Sequence, residues 1–156
     1  MTERVVAVDI DLRQFAAWDS ESGMLGAELS YTDFARTVWR NLLMANTVLL
    51  ECASPMLYRG KIHRSTMSWM IYNSAAVTNL VFQLGQAGVP NVRVAPSSTW
   101  TKGLSEPIRH KLAGVIEPIF PRKKGRHDLK ECQAMIWTYR NEPELWLPLE
   151  QYLETL

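Results

Sequence analysis

Apolar residues fall into two kinds of run along the chain, short β-branched blocks and longer stretches with helical spacing. Val5-Val6-Ala7-Val8-Asp9-Ile10 is a block of the first kind and predicts a buried strand. Arg13-Gln14-Phe15-Ala16-Ala17-Trp18 and Met24-Leu25-Gly26-Ala27-Glu28-Leu29 flank a turn at residues 20–23, which predicts a hairpin continuing from that strand. Ser30 or Thr32 can then cap a helix whose apolar positions, Phe34, Val38, Trp39 and Leu42, recur at three and four residues until Asn46 ends it. Thr47-Val48-Leu49-Leu50-Glu51 is a second apolar block, and reaching it through a helix implies a parallel crossover.

After a loop over residues 55–63, the pattern predicts a long helix at about 65–86, closed by Gly85 and Gly88. A fifth strand follows at 92–95, between Asn91 and Pro96. Pro107 fits the first turn of a helix running to about residue 120. A basic loop occupies 121–127, and another helix covers 128 to about 140. The tail, with Trp146, Leu149, Tyr152, Leu153 and Leu156 behind Pro143 and Pro148, reads as a short amphipathic helix. The order β-β-β-α-β-α-β-α-α specifies an α/β fold: a mixed five-stranded sheet, its first three strands antiparallel and its last two parallel, flanked by helices. We divide it into a domain over residues 1–140 and an acidic amphipathic tail over 141–156 packed on that domain.

Charged residues are rarely set at the end of a buried strand without a partner or a task. Here it happens twice: Asp9 follows four apolar residues, Val5 to Val8, and Glu51 follows three, Val48 to Leu50. The carboxyl ends of parallel strands share one edge of a sheet, where ligands bind. If the first and fourth strands are neighbours, the two carboxylates stand side by side and repel unless a proton or cation intervenes. All-oxygen ligands favour Mg²⁺ or Mn²⁺ over zinc. In His127-Asp128-Leu129-Lys130-Glu131-Cys132-Gln133-Ala134, Asp128 and Glu131 lie three apart and share a helix face. The same pair also suits an N-terminal capping box; its conjunction with Asp9 and Glu51 favours the metal reading. Four carboxylates can hold two ions.

Composition adjusts this picture modestly. A chain of 156 residues, 47% hydrophobic, suits one well-packed domain. No run reaches the ~20 apolar residues of a membrane span, and the start lacks the pattern of a secretory signal. Cys52 and Cys132 are too few for a disulfide scaffold and read as buried small hydrophobes, so a reduced, cytoplasmic protein is expected. The net charge of +1 conceals a gradient, because residues 141–156 hold four glutamates and no Lys or Arg. Residues 1–140 therefore carry 17 basic against 12 acidic residues, which suits a polyanionic partner.

Taken in order, these residues resemble the RuvC branch of the ribonuclease-H-like superfamily, the Holliday-junction resolvases. That pattern has an Asp ending the first strand, a Glu ending the fourth and two acids near the start of a late helix. Val6-Ala7-Val8-Asp9, Leu49-Leu50-Glu51 and the segment from His127 to Ala134 match it in turn. Val94-Ala95-Pro96-Ser97-Ser98-Thr99-Trp100-Thr101-Lys102 is similar to the strand that delivers a lysine near the scissile phosphate. The resemblance spans about residues 5–139. It implies a Mg²⁺-dependent endodeoxyribonuclease with two ions per site, Mn²⁺ substituting, held by Asp9, Glu51, Asp128 and Glu131 with Lys102 as a catalytic cation. It also implies branched DNA as partner and a homodimer through the helix at 65–86, which is apolar on more than one side. Departures are present. Ile10-Asp11 stands where the family has Pro-Gly, which makes Asp11 a further candidate ligand or a solvated turn residue. The last acid is Glu rather than Asp, and His127 could replace or assist Asp128. Ser54-Pro55-Met56 lacks the aromatic expected after the Glu, leaving Tyr58 as its substitute.

Two basic segments suit nucleic acid. Arg122, Lys123, Lys124 and Arg126, around Gly125, would bind phosphates just before the late helix. Tyr58, Arg59, Lys61 and Arg64 combine an aromatic with cations, suited to stacking near an opened base pair. Junction resolution is thus the leading expectation. A ribonuclease H or other nuclease of the same fold, and a non-catalytic nucleic-acid-binding protein on this scaffold, are the alternatives.

Overall fold

The computed structural model describes residues 2–53, 64–101 and 126–156, without the side chains of Ser97, Arg126, His127 and Asp128. β1 (Val5–Asp11) is the central strand of a sheet ordered β3-β2-β1-β4-β5. β2 (Gln14–Asp19) pairs antiparallel with β1, and β3 (Gly23–Leu29) antiparallel with β2. On the other side β4 (Thr47–Cys52) runs parallel to β1, and β5 (Asn91–Pro96) parallel to β4. This is the mixed sheet that the order of elements predicts.

The period of two in β1 determines what lies on each face. Val6, Val8 and Ile10 join a core with Phe34, Val38, Leu42, Val77, Leu80 and Leu84. That layer is built by α1 (Tyr31–Thr37), α2 (Trp39–Met44) and α3 (Arg64–Gln86). Val5 and Ala7 face the other way, into a core with Leu49, Trp100, Leu129, Cys132, Met135 and Trp146. Here the helical partner is α5 (Arg126–Asn141), with α4 (Ser97–Trp100) alongside.

Two helix boundaries differ from the sequence reading. The helix expected to run from residue 30 to Asn46 is divided at Val38 into α1 and α2, and Ala45 caps α2. Ser30 is the N-cap of α1, accepting from the Asp33 amide at 3.1 Å. Thr37 bonds back to the Asp33 carbonyl at 2.7 Å, a competing bond that bends helices at such points. The late helix is already under way at Arg126, so Asp128 lies inside it and is not its N-cap. The expected helix at 107–120 lies outside the described residues.

α3 buries one stripe, Asn73, Val77, Leu80 and Leu84, and leaves Met67, Ile71 and Phe82 exposed on another. Past α5, a 3-10 turn at Pro143–Leu145 leads the tail along β5, where Leu147 and Val94 exchange backbone hydrogen bonds of 2.7 and 3.1 Å. Trp146 enters the α5-side core, whereas Leu149 and Tyr152 of α6 (Leu149–Glu154) pack on the α3-side core. The tail therefore wraps the border of the sheet. Both cysteines are buried and neither forms a disulfide among the described residues, and burial foremost pushes the Cys52 thiol up to about 11.

Candidate metal centre

The same alternation that sorts the core aims the acids. Asp9 follows Val5 and Ala7 on the α5 side, and Glu51 follows Leu49 on that side of β4. Val8 pairs with Leu50, so Asp9 and Glu51 occupy the next level of adjacent parallel strands. Glu131 arrives from α5, beside Leu129 and Cys132, which anchor that helix in the core. One carboxylate oxygen from each of Asp9, Glu51 and Glu131 lies within 4.8 Å of the others. Asp9 and Glu51 are buried and Glu131 half-buried.

Three hard oxygen donors at this spacing fit a Mg²⁺-type ion. Opposite ligands on such an ion lie roughly 4.2 Å apart, twice its ~2.1 Å metal–oxygen distance. Bringing three carboxylates together in a buried site opposes their simultaneous ionisation unless positive charge joins them.

Several side chains fix the strand ends that carry these acids. Asn73, fully buried in α3, donates to the Glu51 carbonyl at 3.0 Å and the Ile10 carbonyl at 3.4 Å. Its oxygen accepts from the Ala53 amide at 2.7 Å. Trp69, one turn earlier, donates to the Ile10 carbonyl at 3.3 Å. From the opposite face, Trp100 donates its indole N–H to Glu51 Oε2 at 2.9 Å. None of these three residues stands out as a site residue in the sequence. Asn73 did carry a signal, a lone amide within the apolar stripe Asn73, Val77, Leu80 and Leu84.

Of the other candidates, Asp11 ends β1 exposed, with its Oδ1 accepting from the Leu12 amide at 2.7 Å, and stands apart from the three-carboxylate group. Asp128, His127 and Arg126 lie in the first turns of α5, and their side chains are outside the described residues. Arg64 opens α3 and is exposed. Tyr58, Arg59, Lys61, Lys102, Arg122, Lys123 and Lys124 fall outside the described residues. No described helix is long and apolar enough to cross a membrane.

No family model matches the chain, and no curated protein matches it in sequence. Solved structures do. RuvC of T. thermophilus in complex with a Holliday junction substrate is 16% identical over 89% of this chain and 93% of that one, with a TM-score of 0.53. A second Thermus thermophilus RuvC structure is 17% identical over 94% and 99% of the two chains, with a TM-score of 0.48. Together with the strand order and the two-sided helical packing, the likeness to the junction-bound structure shows that this chain has a RuvC-like, ribonuclease-H-like fold.

Proposed function

We propose that the protein is a metal-dependent, structure-selective DNA endonuclease that resolves four-way junctions by paired phosphodiester hydrolysis. The observation that carries this reading is the convergence of Asp9, Glu51 and Glu131 at the carboxyl edge of the sheet. The fold shared with a protein solved on a Holliday junction supports the choice of substrate. Asp9, Glu51 and Glu131, joined by Asp128 from the same helix, would hold two Mg²⁺ or Mn²⁺ ions. When bound, such ions supply Lewis-acid charge that activates water and stabilises the leaving oxygen.

The chain's own residues do the rest. Asn73 and Trp69 hold the two strand ends in place, so the carboxylates meet the phosphate already aligned. Lys102 offsets negative charge developing at phosphorus. Arg122, Lys123, Lys124 and Arg126 bind backbone phosphates, and Tyr58 with Arg59, Lys61 and Arg64 engages the junction centre. The exposed stripe of Met67, Ile71 and Phe82 on α3 suits a two-fold dimer, which would present two sites to a symmetric junction. Two buried cysteines without a disulfide among the described residues accord with a cytoplasmic setting.

The test is cleavage of labelled four-way junction, linear duplex and RNA–DNA hybrid, with Mg²⁺ or with EDTA. Symmetric, Mg²⁺-dependent nicks confined to the junction are expected. Cutting of the hybrid alone would reassign the substrate, and binding without cleavage in Mg²⁺ would remove the enzymatic reading.

A further inference from the structure

The hydrogen bond on Glu51 leads away from the metal centre to the C-terminal segment. Trp100 closes the short helix after β5 and is 1% exposed, and its N–H lies on Glu51 Oε2. Behind it stacks Trp146, with ring centroids 6.3 Å apart and planes inclined by 24°. Trp146 is held in turn by the backbone pairing of Leu147 with Val94 and by Arg93, which donates to the Trp146 carbonyl at 3.2 Å. Unlike Trp100, Trp146 has no hydrogen-bond partner for its own indole N–H among the described residues. The two stacked indoles therefore divide the work: one donates to the carboxylate, the other contributes ring surface.

We infer that Trp100 is a positioning residue for the Glu51 carboxylate, and that the C-terminal segment sets Trp100 through Trp146. The terminal torsion of a glutamate is broad and poorly fixed by its own rotamer preferences. A donor on one oxygen narrows that torsion and thereby fixes where the second oxygen points. Partners of this kind, one step behind a ligand, typically alter metal affinity about 10–100-fold when removed. The inference rests on the metal-centre reading above, and it adds the 141–156 tail to the machinery of the site.

Titration calorimetry of the full chain with Mn²⁺, without DNA, tests it on four proteins: parent, Trp100→Phe, Trp146→Phe and Trp146→Leu, each with its melting temperature recorded. Trp100→Phe keeps the stacked ring but loses the donor, so Mn²⁺ affinity should fall about tenfold or more. Trp146→Phe loses an unpartnered N–H and part of the ring surface but keeps an aromatic face against Trp100, and should stay within about twofold of parent. Trp146→Leu, which keeps an apolar side chain but removes the stack, should weaken Mn²⁺ binding in the direction of Trp100→Phe. A purely structural role would lower the melting temperature of the variants and leave their affinities equal, and that result overturns the inference. Parental affinity in Trp100→Phe also overturns it, while leaving the metal centre standing. Absence of Mn²⁺ binding by the parent removes the metal centre itself, and the inference with it.

Discussion

Carboxylates are buried at both ends of the central sheet, and the chain treats the two ends differently. At the end of β2, Asp19 is fully buried and meets the Arg4 guanidinium at 2.7 Å. The Glu21 amide donates to it at 2.9 Å and Asn41 at 3.1 Å. Burial alone would raise the pKa of Asp19, but Arg4 and the two amide donors outweigh it and hold the group below the usual carboxylate value. At the opposite end, Asp9, Glu51 and Glu131 are gathered onto one another, and Glu51 is steadied by a neutral indole donor. One end thus pairs its buried acid with a cation of its own. The other gathers three carboxylates whose oxygen atoms lie close together, an arrangement that suits a divalent ion.

That contrast can be broken most decisively at the three-carboxylate group. Asp9→Asn or Glu51→Gln should reduce junction cleavage by on the order of a thousandfold or more, measured as single-turnover rates. Junction binding in EDTA should match or exceed the parent, because a negative charge facing phosphate has been removed. Retention of the parental cleavage rate by either variant would show that the acids are not the reacting site.

Next in size is the opposite end. Arg4→Met leaves Asp19 buried without its cation and should cost about 3 kcal/mol in urea unfolding. Cleavage per folded molecule should be unchanged. The pH dependence follows from the sign of the shift. A carboxylate with a depressed folded pKa contributes stability in full above its unfolded value of ~3.9 and loses it as pH falls through the folded value. Asp19→Asn should flatten that acid limb, read as melting temperature against pH between roughly 5 and 2.

The smallest expected effect joins structure to site. Asn73→Ala leaves the Ile10 and Glu51 carbonyls and the Ala53 amide short of a buried partner, which should cost about 2 kcal/mol. Unlike Arg4→Met, it should also slow cleavage under conditions where the protein remains folded. Equal cleavage by the two variants would make Asn73 a packing residue only.

These contrasts also show what the sequence could convey. The alternation Val5, Ala7, Asp9 against Val6, Val8, Ile10 is a local property of one strand, and it already assigns Asp9 to a face. The same holds for Leu49 and Glu51, so two members of the three-carboxylate group are legible in the sequence. Glu131 was legible as part of a helix face three residues from Asp128. Trp100 donating to Glu51, or Trp146 stacking on Trp100, depends on what stands across from a residue 46 or more positions away, and periodicity within one element carries no such information. The break at Val38 escaped for a related reason. Phe34, Val38 and Leu42 keep helical spacing through it, while the Thr37 side chain competes locally with the backbone.

The tail's passage along β5 has a consequence for how copies of this chain can meet. Leu147 takes up hydrogen-bonding capacity at Val94 that an outer strand would otherwise offer to a neighbouring molecule. At the far border, β3 is irregular in its pairing with β2, and Glu28 adopts a left-handed backbone conformation, with φ at 52°. Such kinks discourage the straight alignment that strand-to-strand growth requires. Among the described residues, pairing with a strand of a second molecule is therefore opposed at Val94 on one margin and by the kinked β3 on the other.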